Sequence, residues 1–261
     1  FEIAVLRIRE AASSLAERER EVPAERRPFT IAEMPVQLTR RDAEAQHGNL
    51  EPREHDIFLG VGGRNVQPHA INPIHGLPTF VVAGPAKSGR TTTLHTIAHT
   101  ALKNGYELVL AVPRKNALRD LAGRPGVIEV FSDAAELTEE RLAPLLSDRP
   151  RPTLFIADDA DLLRQIDADM WLRGMIAKAQ EHRLGLIIAG DAEALGKGFT
   201  GWLVEMKKNR HGLLFTPQSM TDGDVTGVRL KRSDIGAEMP AGRGHFTSDA
   251  GEAVLLQVAL P

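Results

Sequence analysis

The sequence has no cysteine, one tyrosine and only 5% aromatic residues over 261 positions. Without cysteine there are no disulfides and no thiolate metal ligands, a composition that fits a reducing compartment. So few aromatic rings leave no platform on which successive nucleic-acid bases would stack. No apolar run approaches the roughly 20 residues of a membrane-spanning helix, and the start of the chain lacks the basic, apolar, small-residue order of a signal peptide. Neither sign of charge dominates. Lys and Arg number 32 against 35 Asp and Glu, giving a net charge of −3, so no global field draws the molecule to nucleic acid or to an anionic membrane. What is present is enough apolar material, 42% of residues, for one α/β domain with a smaller appendage. The chain opens at Phe1 without an initiator methionine, which reads as a module of something longer whose membrane anchor, if any, lies elsewhere.

Residues 1–52 read as a linker region. Val5, Leu6, Ile8, Ala12 and Leu15 put one narrow apolar stripe on a helix from Ile3 to about Glu21, and the charged, proline-interrupted stretch from Pro23 to Pro52 reads as an extended arm lying on a domain. From residue 53 a different texture begins. Two short strands flank the Gly62-Gly63 turn, and apolar runs of strand length follow at Phe80–Ala83, Leu108–Val112, Val127–Phe131, Leu154–Ala157, Leu186–Ala189 and Leu213–Phe215. Runs apolar on both faces suit buried parallel strands covered by helices. Helical spacing appears in Leu94, Ile97, Ala98, Ala101 and Leu102, closed by Asn104-Gly105, and again over Met170–Arg183. The tail carries turn pairs at Asp222-Gly223 and Gly242-Arg243-Gly244 and a final strand over Ala253–Leu260. The fold class expected is α/β: a central, mostly parallel sheet with an N-terminal helix and arm and a C-terminal β-hairpin.

Strand, glycine loop and helix occur in the order that phosphate binding requires in Phe80-Val81-Val82-Ala83 followed by Gly84-Pro85-Ala86-Lys87-Ser88-Gly89-Arg90-Thr91. Glycines let successive backbone N–H groups point at phosphate oxygens, and the helix N-terminus adds partial positive charge. Thr91 offers a hydroxyl to magnesium and Thr92 can reach an α-phosphate. Arg90 stands where this loop normally carries lysine. A lysine ammonium is a compact point charge that fits between the β- and γ-phosphates, whereas a guanidinium is broad and planar and needs another approach. Lys87 either supplies a charge from inside the loop or faces solvent.

A second element, Thr153-Leu154-Phe155-Ile156-Ala157-Asp158-Asp159, delivers two carboxylates at the end of an apolar strand. Asp158 is placed to orient the water shell of magnesium and Asp159 to polarise an attacking water. Asp159 is one methylene shorter than the glutamate usual there, and a misplacement of about an ångström can cost ~10²-fold in rate. The alternative is that Asp159 and Asp161 cap a following helix. Asp191, after Leu186-Ile187-Ile188-Ala189-Gly190, would repel phosphate and reads as a turn cap. Arg210 and Arg243 are candidates for an arginine acting on a neighbouring site, or are surface residues. His95 and His99 share a helix face without a third ligand.

With these residues in place, the chain resembles the FtsK/SpoIIIE motor ATPases, and particularly their type VII secretion relatives of the EccC/EssC kind. The likeness rests on the Gly84–Thr91 loop, Asp158-Asp159-Ala160-Asp161-Leu162-Leu163, Gly185–Gly190, the lead-in Phe58-Leu59-Gly60-Val61 with Pro73 and Pro78, and the closing segments Gly212–Gln218, Asp222-Gly223-Asp224, Gly227–Leu230 and Gly242–Gly244. It covers about residues 28–261. It implies a RecA-like P-loop NTPase domain over 53–261, binding of ATP and Mg2+, and a cytoplasmic location as the soluble part of a membrane-anchored chain. It also implies tandem ATPase modules in that longer chain, ring assembly as a hexamer, and capture of small helical-hairpin secreted substrates through their C-terminal signal. Arg90 and Asp159 depart from the pattern and imply a degenerate module with slow or absent hydrolysis. The competing expectations are a double-stranded DNA translocase module and an adaptor that has lost nucleotide.

Overall fold

The computed structural model describes residues 32–261. The helix read over Ile3 to Glu21 and the arm up to residue 31 lie outside the described residues. A compact unit runs from Met34 to Pro261.

It opens with a short helix, α1 (Arg40–His47), where the sequence reads as extended. The helix forms because Thr39 and Asp42 make a reciprocal capping box, the hydroxyl accepting from the Asp42 N–H while the Asp42 carboxylate accepts from Thr39. Leu38, Ala43 and Leu50 then pack on Phe58, Val61 and Ala259. The hairpin follows as β1 (Ile57–Gly62) and β2 (Gln67–Ile71). All six apolar runs become strands: β3 (Thr79–Ala83), β4 (Glu107–Ala111), β5 (Val127–Phe131), β6 (Thr153–Ala157), β7 (Leu184–Gly190) and β8 (Gly212–Phe215). The C-terminal pair is β9 (Arg243–Thr247) and β10 (Ala253–Val258).

One ten-stranded sheet results, in the order β2-β1-β10-β9-β8-β3-β7-β6-β4-β5. The run from β8 to β5 is parallel throughout, and β9, β10, β1 and β2 extend it antiparallel. This is the expected RecA-like α/β sheet. Strand alternation splits the core in two: Val81, Ala83, Phe155 and Ile188 face one cluster, while Phe80, Val82, Ile156 and Ile187 face the other. Helix α2 (Arg90–Lys103) covers the second cluster with Leu94, Ile97, Ala98 and Ala101. The first is covered by α3 (Glu139–Leu146), α4 (Asp169–Ala177), α5 (Ala192–Gly196), α6 (Trp202–Lys207) and α7 (Gly223–Thr226), with Trp202 fully buried among them.

Two elements end earlier than their sequence patterns. Helix α4 stops at Ala177, because the chain must turn back into β7: the Ala179 carbonyl accepts from the Leu184 N–H, and Arg183 takes a left-handed φ of 50°. The last strand stops at Val258, since Leu260 leaves β1 to pair with the arm, donating to the Leu38 carbonyl and accepting from the Arg40 N–H. The C-terminal residues therefore close onto the start of the same unit.

His211, at the start of β8, is buried with its Nδ1 3.1 Å from the Thr79 carbonyl and its ring edge-on to Phe80. Burial pushes its pKa down to about 4 from 6.5, so the folded protein holds the ring neutral while the unfolded chain binds a proton. Its contribution is fully present above about pH 6.5 and is lost as pH falls toward 4, up to about 3 kcal/mol. Urea unfolding measured between pH 7 and pH 4 should show this loss, and His211→Leu should flatten that limb.

Candidate functional site

β3 ends at Ala83 and the chain turns through Gly84–Gly89 into α2. Gly84 has φ of 153°, and a Cβ there would sit 2.8 Å from the Phe215 Cβ and 2.9 Å from its carbonyl oxygen, so only glycine fits. Lys87 and Gly89 also take positive φ. The backbone N–H groups of Ala86, Lys87 and Gly89 have no acceptor among the described residues, and the Ser88 hydroxyl is buried without a partner. Helix α2 begins at Arg90 with no side-chain cap. Orphan donors around a turn, at an uncapped helix N-terminus, fit a phosphate group.

Because β6 runs parallel to β7, and β7 to β3, the two aspartates leave the same edge of the sheet as the loop. Asp158 is 1% exposed, and its Oδ2 accepts from the Thr91 hydroxyl at 2.7 Å and from the Asn116 amide at 2.9 Å. Burial first, and then the Asp159 charge, push the Asp158 carboxyl above the usual carboxylate range against the opposing Thr91 hydrogen bond. A hydroxyl and a carboxylate in contact, with that charge poorly solvated, are the donor set that a hard divalent cation such as Mg2+ takes.

Arg90 and Asp159, the two departures, meet each other. The Arg90 guanidinium donates to the Gly84 carbonyl at 3.0 Å and to Asp159 Oδ1 at 3.2 Å, with both side chains 12% exposed. On its other oxygen Asp159 faces Arg114, 3.7 Å away and largely exposed. Both carboxylate oxygens of Asp159 therefore face cations. It does not cap the following turn, for its side chain makes no capping bond, and its own backbone sits at φ of 45°.

Beside the loop, Gly89, Thr92 and Thr93 line one wall of a cavity of about 370 Å³; Val36–Leu38 and Pro240–Gly242 line the others. Arg243 holds that closure together by donating to the Met34 and Pro35 carbonyls. Of the cavity walls, Gly89, Thr92 and Gly242 were singled out from sequence, whereas Val36–Leu38, Thr93, Pro240 and Ala241 were not, and neither were Asn116 and Arg114. Polar Pro113-Arg114-Lys115-Asn116 after an apolar strand was the available signal for the last two, while the walls come from segments some 200 residues apart.

The other singled-out residues sort as follows. Pro85 is half-buried in the loop, Ala86 and Lys87 are exposed, and Thr92 is exposed and lines the cavity. Asp191 caps α5 by accepting from the Ala194 N–H at 3.0 Å. Arg210 is exposed before β8, at the sheet edge opposite the loop, and Arg243 is committed to the arm. His95 and His99 are half-buried on α2, and neither belongs to a group of three metal-ligating side chains among the described residues.

No established protein family matches the sequence, and no curated protein matches it. Solved structures do match in fold. Over 98% of this chain and 50% of the other, it superposes on "EssC (ATPases 2 and 3) from Geobacillus thermodenitrificans" with a TM-score of 0.71 at 20% identity. Over 90% and 45% it superposes on "Thermomonospora curvata EccC (ATPases 2 and 3) in complex with a signal sequence peptide", TM-score 0.69 at 18% identity. The pCW3 conjugation coupling protein TcpA, solved with ATPγS, gives 0.59 at 15% identity over 88% and 71%. The EssC/EccC resemblance read from the sequence therefore holds at the level of the fold. The chain spans about half the length of the first two.

An ion pair this enclosed couples its members. Asp159→Ala should destabilise the protein by about 1–3 kcal/mol by stranding Arg90, and Arg90→Met combined with Asp159→Ala should recover about 1 kcal/mol or more relative to additivity. A double-mutant cycle in urea checks this; additivity within error would mean that the pair is not formed.

Proposed function

We propose that this chain is a nucleotide-binding module of a type VII secretion motor that holds MgATP without efficiently hydrolysing it. The observation that carries the reading is the Arg90–Asp159 ion pair, in which the residue meant for the β- and γ-phosphates and the residue meant for the attacking water satisfy each other. Binding needs neither of them. The loop N–H groups, Ser88, Thr91 and Thr92 would receive the phosphates, Thr91 and Asp158 would hold Mg2+, and the cavity between Thr92 and Gly242 would receive the base and ribose. The metal, when bound, neutralises charge on the β- and γ-phosphates.

Hydrolysis suffers twice. With one oxygen held by Arg90 and the other facing Arg114, the Asp159 carboxylate is not free to orient an attacking water, and loss of a general base costs about 10²–10⁴-fold. A guanidinium drawn to the Gly84 carbonyl is also displaced from the transferring phosphoryl group, where loss of a preorganised donor costs about 10²–10³-fold. The role left is recognition or regulation. In this reading the module works beside other ATPase modules of a longer, membrane-anchored chain, in a ring on the cytoplasmic side, and receives the C-terminal signal of small helical-hairpin substrates. The support is the shared fold with EccC and EssC ATPase pairs, one of them complexed with a signal sequence peptide.

Titration of a fluorescent ATP analogue with and without magnesium is expected to give Mg2+-dependent binding, and steady-state turnover to lie far below about 1 per second. Replacing the pair by Arg90→Lys with Asp159→Glu should raise turnover about tenfold or more, given the penalties above. Wild-type turnover at about 1 per second would sink the static reading, and absence of any binding would sink the nucleotide itself. Salt-dependent affinity for duplex DNA would shift the module toward DNA translocation.

A further inference from the structure

The sheet has a second cluster of chemistry-bearing side chains at the edge opposite the phosphate loop. Glu54 and His55 lie in the loop before β1, and His75 lies in the turn between β2 and β3. One ligand atom from each falls within 4.8 Å of the others, the single such group of three among the described residues. Strand β3, about 16 Å long by its five residues, separates this cluster from the Gly84–Thr91 loop. It is thus a separate site.

Its parts are pinned before any ligand arrives. The buried Asn72 side chain donates to the Glu54 carbonyl and to Asp56, each at 2.9 Å, and accepts from the His75 N–H at 2.9 Å, so a single amide ties the two ligand-bearing segments together. The Tyr106 hydroxyl donates to the His55 carbonyl at 2.7 Å, and the His55 ring stands edge-on to Tyr106. His55 adopts φ of 65°, a left-handed conformation uncommon outside glycine. Its ring stacks with His75 at 5.4 Å, its Nε2 lies 3.4 Å from a Glu54 oxygen, and its Nδ1 is buried without a partner.

We propose that Glu54, His55 and His75 form a binding site for a divalent transition cation of the zinc type, with two imidazoles and one carboxylate as protein ligands and solvent completing the shell. Imidazole and carboxylate together suit Zn2+ and disfavour Mg2+, which prefers oxygen throughout. The Arg183 guanidinium, 3.2 Å from His55 Nε2, occupies the lone pair that the ion would take. Metal binding therefore displaces Arg183, an exchange that sets the affinity below that of a closed structural site. A bound ion would clamp the lead-in to β1 against the lead-in to β3.

The test is calorimetric titration of ZnCl2 into the tag-free chain after chelator treatment, with Co2+ absorption to report ligand type. Wild type should take up one equivalent and melt at higher temperature with zinc. Glu54→Gln and His75→Ala alter exposed side chains that the fold does not need; they should weaken binding about tenfold or more, a loss of the size that damage to a metal site produces. His95→Ala with His99→Ala should leave it unchanged, and Arg183→Met should tighten it. Absence of uptake, uptake indifferent to His75→Ala, loss in the His95/His99 variant, or weakening by Arg183→Met would each overturn the proposal. Nucleotide binding should be unaffected by His75→Ala, which keeps the outcome separate from that of the phosphate loop.

Discussion

Parallel pairing of β7 with both β3 and β6 is the constraint on which everything else at the edge carrying the Gly84–Thr91 loop depends. With Ala83 opposite Gly190 and Ala157 opposite Ile188, the loop and the two aspartates emerge together although some 70 residues separate them. β7 is buried on both faces and along its whole length, so a slip of one residue would drive every side chain into the opposite core, whose packing is built for a different one. That requirement fixes the register, and the register brings Thr91 within 2.7 Å of Asp158. Chemistry at the edge is a by-product of packing in the middle.

On that frame, the two unusual residues are one change rather than two. A lysine in place of Arg90 would end in a compact ammonium lacking the planar fork that spans the Gly84 carbonyl and Asp159 at once. A glutamate in place of Asp159 would carry its carboxylate a methylene further out. The pair closes because arginine is wide and aspartate short, and it then stiffens the loop by occupying the carbonyl of its first glycine. A pair arranged in this way holds both side chains rigid, while the orphan N–H groups and the Ser88 hydroxyl keep unmet hydrogen bonds that a phosphate group fits.

Where the signal was local, the sequence carried it. Strand runs are apolar because both faces are covered, the loop is glycine-rich because Gly84 has no room for a side chain, and Asp191 caps because its short carboxylate accepts from the Ala194 N–H at a helix start. Where structure depends on distant partners, the sequence is mute. Nothing in Arg90 alone says that it points back to Gly84, and nothing in Asp159 that it faces Arg114 as well. Helix α1 lies in a proline-interrupted, charged stretch where the Thr39–Asp42 capping box was a local signal left unread, while the packing that secures the helix, on Phe58, Val61 and Ala259, is distant. Helix α3 was missed for a related reason, since it tolerates Pro144 while burying Leu142 and Leu146.

The cavity beside the loop shows the same dependence on distance, with a consequence for function. Its walls are residues 36–38 and 240–242, joined by Arg243 to the Met34 and Pro35 carbonyls and by Leu260 to Leu38. The Gly242 N–H in turn donates to the Ser88 carbonyl, and a Cβ on Gly89 would reach within 3.2 Å of Gly242. The start of the unit, its last strand and the phosphate loop are thus held in one contact chain. A ligand that fills the cavity bears on the arm, and anything that pulls the arm bears on the loop. Through that mechanical link, occupancy of the cavity and the position of the arm are coupled.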